Sequence, residues 1–324
     1  MTGNILSDAR NGRALNAAQA TELLRIPVNS EDYYTLLFVA DAYARQTFKG
    51  KGMVFAQIGI DAQGCRINCK FCSLAKSVLS ARVVSVKSMD EVVAQAKALA
   101  FSGIQDLFLM TTAEFSQERF LEYGRAVHAV LPQDMRLVAN VGDFDFNYAR
   151  SLKDAGFTGV YHIHRLREGV DTGASPEARV NTLNAVRDAG LELYYCVEPI
   201  GPEHTPEELV QEMLRIREYP VGVMAVMKRI AVPGTPLAEY GEITAAQLAK
   251  ICAVTVLVSR PQRAMGVHEP DELCLMAGAN QIYAECGVNP RDMENETEKN
   301  RGFSTVRARK IAYKYAVAGI TWTL

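Results

Sequence analysis

No long apolar run, no block of one charge and no Gly-rich turn after the first apolar segment occur in this 324-residue chain. The charges nearly cancel, 35 Lys and Arg against 37 Asp and Glu, so nothing electrostatic favours nucleic acid or an anionic membrane surface as partner. The most apolar helical stretch, Ile251 to Val258, is interrupted only by Thr255 and falls far short of the roughly 18 residues a transmembrane helix needs. Residues 1–13 carry no apolar core after their charges, so no export signal is read and the expected compartment is the cytoplasm. Without a Gly-rich turn, a doubly wound nucleotide-binding sheet loses its main support. A composition of 48% hydrophobic and 22% charged residues excludes disorder. The seven cysteines, at 65, 69, 72, 196, 252, 274 and 286, are an odd number in a chain without an export signal. That argues against a disulfide framework and for metal chemistry.

Residues 16–24 and a segment capped by Ser30, with Glu31 and Asp32 in its first turn, read as helices. From Gly50 onward short apolar runs alternate with longer amphipathic ones. The candidate strands are 53–60, 106–110, 136–141, 159–163, 191–197, 221–227, 263–267 and 280–285. Helical segments are expected at 89–103, 116–131, 145–155, 175–189, 205–217, 243–258 and 270–278. Eight strand–helix units without a linker fit one closed parallel barrel rather than two domains. The expected architecture is therefore an α/β fold: an N-terminal helical cover over 1–50, a (β/α)8 TIM-type barrel over 51–302 and a helical tail over 303–324. Functional residues belong at the C-terminal ends of the strands.

The loop after the first strand holds Cys65, Cys69 and Cys72 within eight residues. Three thiolates leave one iron of a four-iron cubane open, as catalytic metal sites require. A three-cysteine zinc site is the alternative, though zinc cysteines usually come as separated pairs. Three residues beyond this loop also carry strand-end signals. Cys196 ends the fifth strand, His268 follows the seventh and Cys286 ends the eighth, so all three belong at the barrel's active face. In Tyr161-His162-Ile163-His164-Arg165, alternation puts the two histidines on one face, which is expected to line the lumen.

The Cys-x3-Cys-x2-Cys loop after a first barrel strand resembles the radical S-adenosylmethionine superfamily. The resemblance implies a [4Fe-4S] cluster on Cys65, Cys69 and Cys72, with S-adenosyl-L-methionine on the fourth iron, and cleavage to a 5′-deoxyadenosyl radical. It places Phe71 beside the adenine and Glu114, in Thr111-Thr112-Ala113-Glu114, beside the methionyl amine. The stretches Arg179 to Gly190, Cys196 to Thr205, Pro233 to Leu237 and Leu275 to Asn280 resemble the biotin synthase-like branch. By that resemblance Arg179 pairs with the S-adenosyl-L-methionine carboxylate, and His162 and His164 stand where the branch contacts substrate. Sulfur insertion into dethiobiotin is the expected reaction. A methylornithine synthase-like mutase or a maturase, without sulfur insertion, is the alternative.

Sulfur insertion needs a second, auxiliary iron–sulfur cluster as donor. Of the branch's usual cysteines on the second, third and fifth strands, this chain has only Cys196. The expected replacements are Cys286 and one or two of Cys274, His268 and Arg260, with Cys196 and Cys286 serving the reaction directly; Cys252 reads as core. The expected partners are a small-molecule substrate, an electron donor such as flavodoxin or ferredoxin, and a second copy of the chain in a homodimer.

Overall fold

The computed structural model describes residues 2–79, 85–268, 271–284 and 304–315. Three helices come first: α1 (Thr2–Arg10), α2 (Ala17–Leu24) and α3 (Glu31–Thr47). Asn16 and Ser30 cap the second and third through their side chains, as the sequence predicts. The helix α1 was not among the expected elements. Next come β1 (Met53–Gly59), the two-residue strands β2 (Asp61–Ala62) and β3 (Ser85–Val86), α4 (Met89–Ala100), β4 (Asp106–Met110), α5 (Gln117–His128), β5 (Arg136–Asn140), α6 (Phe146–Asp154), β6 (Gly159–Tyr161), α7 (Pro176–Asp188), β7 (Glu192–Ile200), α8 (Pro206–Arg215), β8 (Val221–Lys228), α9 (Ala245–Ser259), β9 (Ala264–His268), β10 (Gln281–Ala284) and α10 (Thr305–Lys314).

Eight strands close a parallel barrel in the order β1-β10-β9-β8-β7-β6-β5-β4, so the fold is a (β/α)8 TIM-type barrel. Closure is made by β1, which sets Met53 beside Gln281 and Phe55 beside Asp106. All eight apolar runs supply a barrel strand. They read as continuous rather than alternating hydrophobics because helices cover the outer face while side chains fill the inner one. The pair β2–β3 lies outside the barrel and brackets the cysteine loop.

One expected helix differs. Of the expected helix over 270–278, the described residues hold a single 3-10 turn, Glu272–Met276. Only twelve residues separate the end of β9 from the start of β10, too few for a multi-turn helix plus the return to the other end of the barrel. The helix α9 is buried nearly all round, because α3 packs on the face that the barrel leaves uncovered. That accounts for Ile251 to Val258 and for Cys252, which is fully buried among them.

The barrel interior is layered. At the N-terminal end Arg263 donates to Asp106 (2.6 Å), Glu192 (3.0 Å) and the Tyr194 hydroxyl (2.6 Å), while Arg136 holds Glu192 from the other side at 2.8 Å. Above this ionic layer Phe55, Phe108, Tyr194 and Tyr283 pack edge to face or tilted, with Phe108 5.0 Å from Tyr283 and 5.2 Å from Tyr194 between ring centroids. Above the aromatics the barrel opens.

Candidate functional site

A cavity of about 240 Å³ occupies the C-terminal end of the barrel. Its outer wall carries Cys65, Cys69, Phe71 and Cys72, and its deeper wall carries Tyr161, Arg165, Glu198 and His268. The cysteine loop is anchored on three sides. Lys70 N–H donates to the Asp171 carbonyl (2.9 Å), Gly173 N–H to the Ile67 carbonyl (2.7 Å), and Arg66 N–H to the Glu114 carboxylate (2.7 Å). A Cβ on Gly173 would meet the Ile67 carbonyl at 2.7 Å, so only glycine lets the loop after β6 close on the cysteine loop. Asn68 takes a left-handed turn between the first two cysteines, and its side chain accepts from Ser77 N–H. Burial pushes the Cys69 thiol up to about 12.

This arrangement fits a three-thiolate cluster. Cys65, Cys69 and Cys72 all open on one cavity from one tightly held loop, and a metal is what renders such a buried thiol anionic. Phe71 lines the same cavity, and so does Arg179. The Arg179 side chain is buried, with Nη1 3.1 Å from Asp143 and Nε 3.3 Å from Glu168.

Several expectations about placement are corrected. Glu114 does not line the cavity; it turns back to the Arg66 amide and guanidinium, while Thr111, Thr112 and Ala113 face inward. The two faces of the segment after β6 are as alternation requires, but the inward one belongs to Tyr161 and Arg165. His162 points outward to Asp143 (3.3 Å) and His164 to Glu212 on α8 (3.0 Å). Burial lowers His162 to about 4, which keeps its imidazole neutral. At Asp143 burial raises the carboxyl, but the hydrogen bond from His162 and the charge of Arg179 outweigh it and leave it below the usual range.

Cys274 is also misplaced by the sequence reading. It sits in the 3-10 turn that runs back to the barrel's N-terminal end, buried beside Cys252 of α9 and away from the cavity. Arg260 is the left-handed residue that ends α9, bonded to Tyr43 at 3.1 Å, again at the far end. Cys286 lies outside the described residues. Cys196 and His268 do come together, joined by Glu198, which the sequence reading missed. One ligand atom from each lies within 4.8 Å of the others. Two residues along a strand share a face, so Glu198 was legible from Cys196. Burial, with Glu198 beside it, pushes the Cys196 thiol well up. Arg165 and Tyr161 complete this cluster: Arg165 Nε lies 3.5 Å from Glu198, and the Tyr161 hydroxyl donates to it at 2.6 Å.

The barrel, the cysteine loop after its first strand and the open cavity define the class: residues 60–216 match the model of the radical SAM superfamily. Across a longer stretch the chain is similar to biotin synthases. It is 27% identical over 283 residues to that of Paracidovorax citrulli (strain AAC00-1), covering 81% of this chain and 77% of the relative. It is 29% identical over 260 residues to that of Desulforudis audaxviator (strain MP104C), covering 75% and 76%. The crystal structure of methylornithine synthase (PylB) superimposes with a TM-score of 0.81 over 99% of this chain and 97% of that one, at 17% identity, a likeness of fold. Residues 60–216 thus carry a radical SAM domain, and the chain at large is similar to biotin synthases. That family implies a [4Fe-4S] cluster, S-adenosyl-L-methionine and a small-molecule substrate. Among the described residues no helix is long and apolar enough to cross a membrane.

Proposed function

We propose that this radical SAM enzyme generates a 5′-deoxyadenosyl radical at the cysteine loop and directs it to a small substrate held deeper in the barrel. The observation that carries this reading is the single cavity shared by Cys65, Cys69 and Cys72 at its mouth and Tyr161, Arg165, Glu198 and His268 within. When bound, the cluster and S-adenosyl-L-methionine supply a radical able to take hydrogen from an unactivated carbon.

The chain's own groups hold and orient. Cys65, Cys69 and Cys72 ligate three irons of the cluster. Phe71 offers an aromatic face to the adenine. Arg179 meets the S-adenosyl-L-methionine carboxylate with the part of its guanidinium that Asp143 and Glu168 do not engage. Glu114 acts on the loop through Arg66 rather than on the ligand. His162 and His164 serve behind the wall, His162 by fixing Asp143 and through it Arg179. An electron donor such as flavodoxin or ferredoxin supplies the reducing equivalent.

The finer reading is sulfur insertion into dethiobiotin. It is supported by similarity to biotin synthases over three quarters of the chain and by a thiol, Cys196, in the barrel interior. The sulfur would come from a second iron-containing centre for which Cys196 and His268 remain the ligands, with Cys286 a further candidate. One observation favours a second reading, rearrangement of a methylornithine synthase-like kind. The wall contributed by β1 and β5 is polar and thiol-free: Gln57 and Asn140 bond each other at 3.2 Å. Anaerobic reduction with S-adenosyl-L-methionine and dethiobiotin separates the readings. Biotin together with 5′-deoxyadenosine supports sulfur insertion; 5′-deoxyadenosine with no biotin under any sulfide supply turns the case to rearrangement. Absence of 5′-deoxyadenosine in a fully reconstituted protein overturns the radical reading itself.

A further inference from the structure

Cys196 and Glu198 stand two residues apart on β7, so the pleat turns both side chains to the barrel interior. His268 ends β9, the next strand but one. In an eight-stranded barrel alternate strands feed the same interior layer, which is why residues 70 positions apart arrive together. We propose that Cys196, Glu198 and His268 form a site for one divalent late first-row ion, iron(II) or zinc, whose remaining coordination position opens on the cavity. The proposal rests on taking Cys196 and His268 as metal ligands, not on the choice between sulfur insertion and rearrangement.

Three features support a single ion. The first is spacing. Sulfur, oxygen and nitrogen donors bonded to one tetrahedral ion at about 2.0–2.3 Å stand roughly 3.3–3.8 Å apart. The three donors here lie within 4.8 Å of one another, a gap that small side-chain rotations close. Donors shared out over the irons of a cluster are held further apart by the metal–metal separation. The second feature is donor chemistry. Thiolate, carboxylate and imidazole together suit zinc or iron(II) and not magnesium or calcium, and their two negative charges balance a divalent ion. The third is support from behind. The Tyr161 hydroxyl donates to the Glu198 carboxylate at 2.6 Å and lies 3.5 Å from His268 Nδ1, while the Tyr283 ring stands edge-on to the imidazole at 4.3 Å between centroids. Such outer contacts orient ligands at metal sites. Among the described residues three protein ligands come together, and three with one position left over is the catalytic pattern rather than the structural one. Arg165 and Tyr283 line the same cavity as Glu198 and His268, from which a heteroatom of the substrate would complete the coordination.

The probe is cobalt(II), titrated anaerobically into the full chain carrying C65A, C69A and C72A. The expected result is one cobalt per chain with a thiolate-to-cobalt charge-transfer band. The band is expected to vanish with C196S, and the affinity to fall at least tenfold with E198Q or H268N, at unchanged far-ultraviolet circular dichroism. If the triple variant fails to fold, the difference spectrum between apo wild type and C196S alone carries the same band. No cobalt bound, or a multi-iron signal with labile sulfide when iron and sulfide are offered to the triple variant, overturns the single-ion site. Biotin formed by a wild type that lacks the cobalt signature leaves sulfur insertion standing and removes this site. The signature with no biotin does the reverse.

Discussion

Both ends of the barrel bury an arginine among carboxylates and tyrosines, yet the two are finished differently. At the N-terminal end Arg263 has every side of its guanidinium engaged: Nε on Glu192 at 3.1 Å, Nη1 and Nη2 on Asp106 at 3.3 and 2.6 Å, and Nη2 on the Tyr194 hydroxyl. Phe55 and Tyr194 flank its plane. At the C-terminal end Arg165 faces Glu198 at 3.5 Å, and its Nε makes no hydrogen bond. Arg179 stands likewise with its Nε 3.3 Å from Glu168 and no hydrogen bond formed there. Saturated polar groups specify and hold a fold, whereas buried donors left with spare capacity beside a cavity mark where a ligand binds. The same residue types therefore make a plug at one end and a site at the other.

The comparison is sharpened first where the largest effect is expected. Cys69→Ala should abolish 5′-deoxyadenosine formation, measured by chromatography after anaerobic reduction, while the apo chain unfolds near the wild-type denaturant midpoint. A variant that still turns over would take the cysteine loop out of the radical chemistry. Next in size is Arg263→Met, which strands Asp106 without its cation and leaves Glu192 to Arg136 alone. Breaking a buried pair in this way costs about 3–5 kcal/mol, seen as a large fall in the urea midpoint. An unshifted midpoint would remove the distinction between plug and site.

A comparable effect with a defined pH window comes from His162. Its pKa is held at about 4 by burial, below the ordinary 6.5, so the folded chain keeps the imidazole neutral while the unfolded chain protonates it. Between pH 6.5 and about 4 the unfolded state binds the extra proton, and stability falls as the pH is lowered through that window. It is fully present above 6.5. The loss approaches about 3 kcal/mol at the acid end. His204, also lowered by burial, acts with the same sign. The urea-midpoint difference between wild type and His162→Asn across the window isolates the contribution. A difference that does not change with pH would show that His162 does not titrate as its burial requires.

Much of this barrel was legible because each parallel strand is covered on both faces and so reads as a bounded apolar run. The cysteine triplet was legible because all three residues belong to one loop. Long-range pairings were less so. Alternation separates Tyr161 and Arg165 from His162 and His164, but β6 ends at Tyr161, and the acids that claim the histidines, Asp143 and Glu212, come from the loop after β5 and from α8. Which face is inward follows from those partners, and local periodicity contains neither. Cys274 was misread as a helix residue at the active face because a twelve-residue connection has to return to the other end of the barrel. Arg260 was misread because it precedes β9 and therefore lies at the N-terminal end.

The smallest expected effect tests the contrast most directly. Arg165→Met removes the mouth's counterpart of Arg263. Glu198 then keeps its bond from the Tyr161 hydroxyl and faces a cavity that water enters, so its charge is not stranded in a sealed interior. The cost to stability should be about 1 kcal/mol, well below that of Arg263→Met. Activity should move the other way: Arg165 has donors to spare on the cavity side, and its loss should raise the KM for substrate while 5′-deoxyadenosine still forms in the absence of substrate. Equal destabilisation by the two substitutions would mean that the mouth is as tightly closed as the base, and that the spare donors of Arg165 belong to packing rather than to binding.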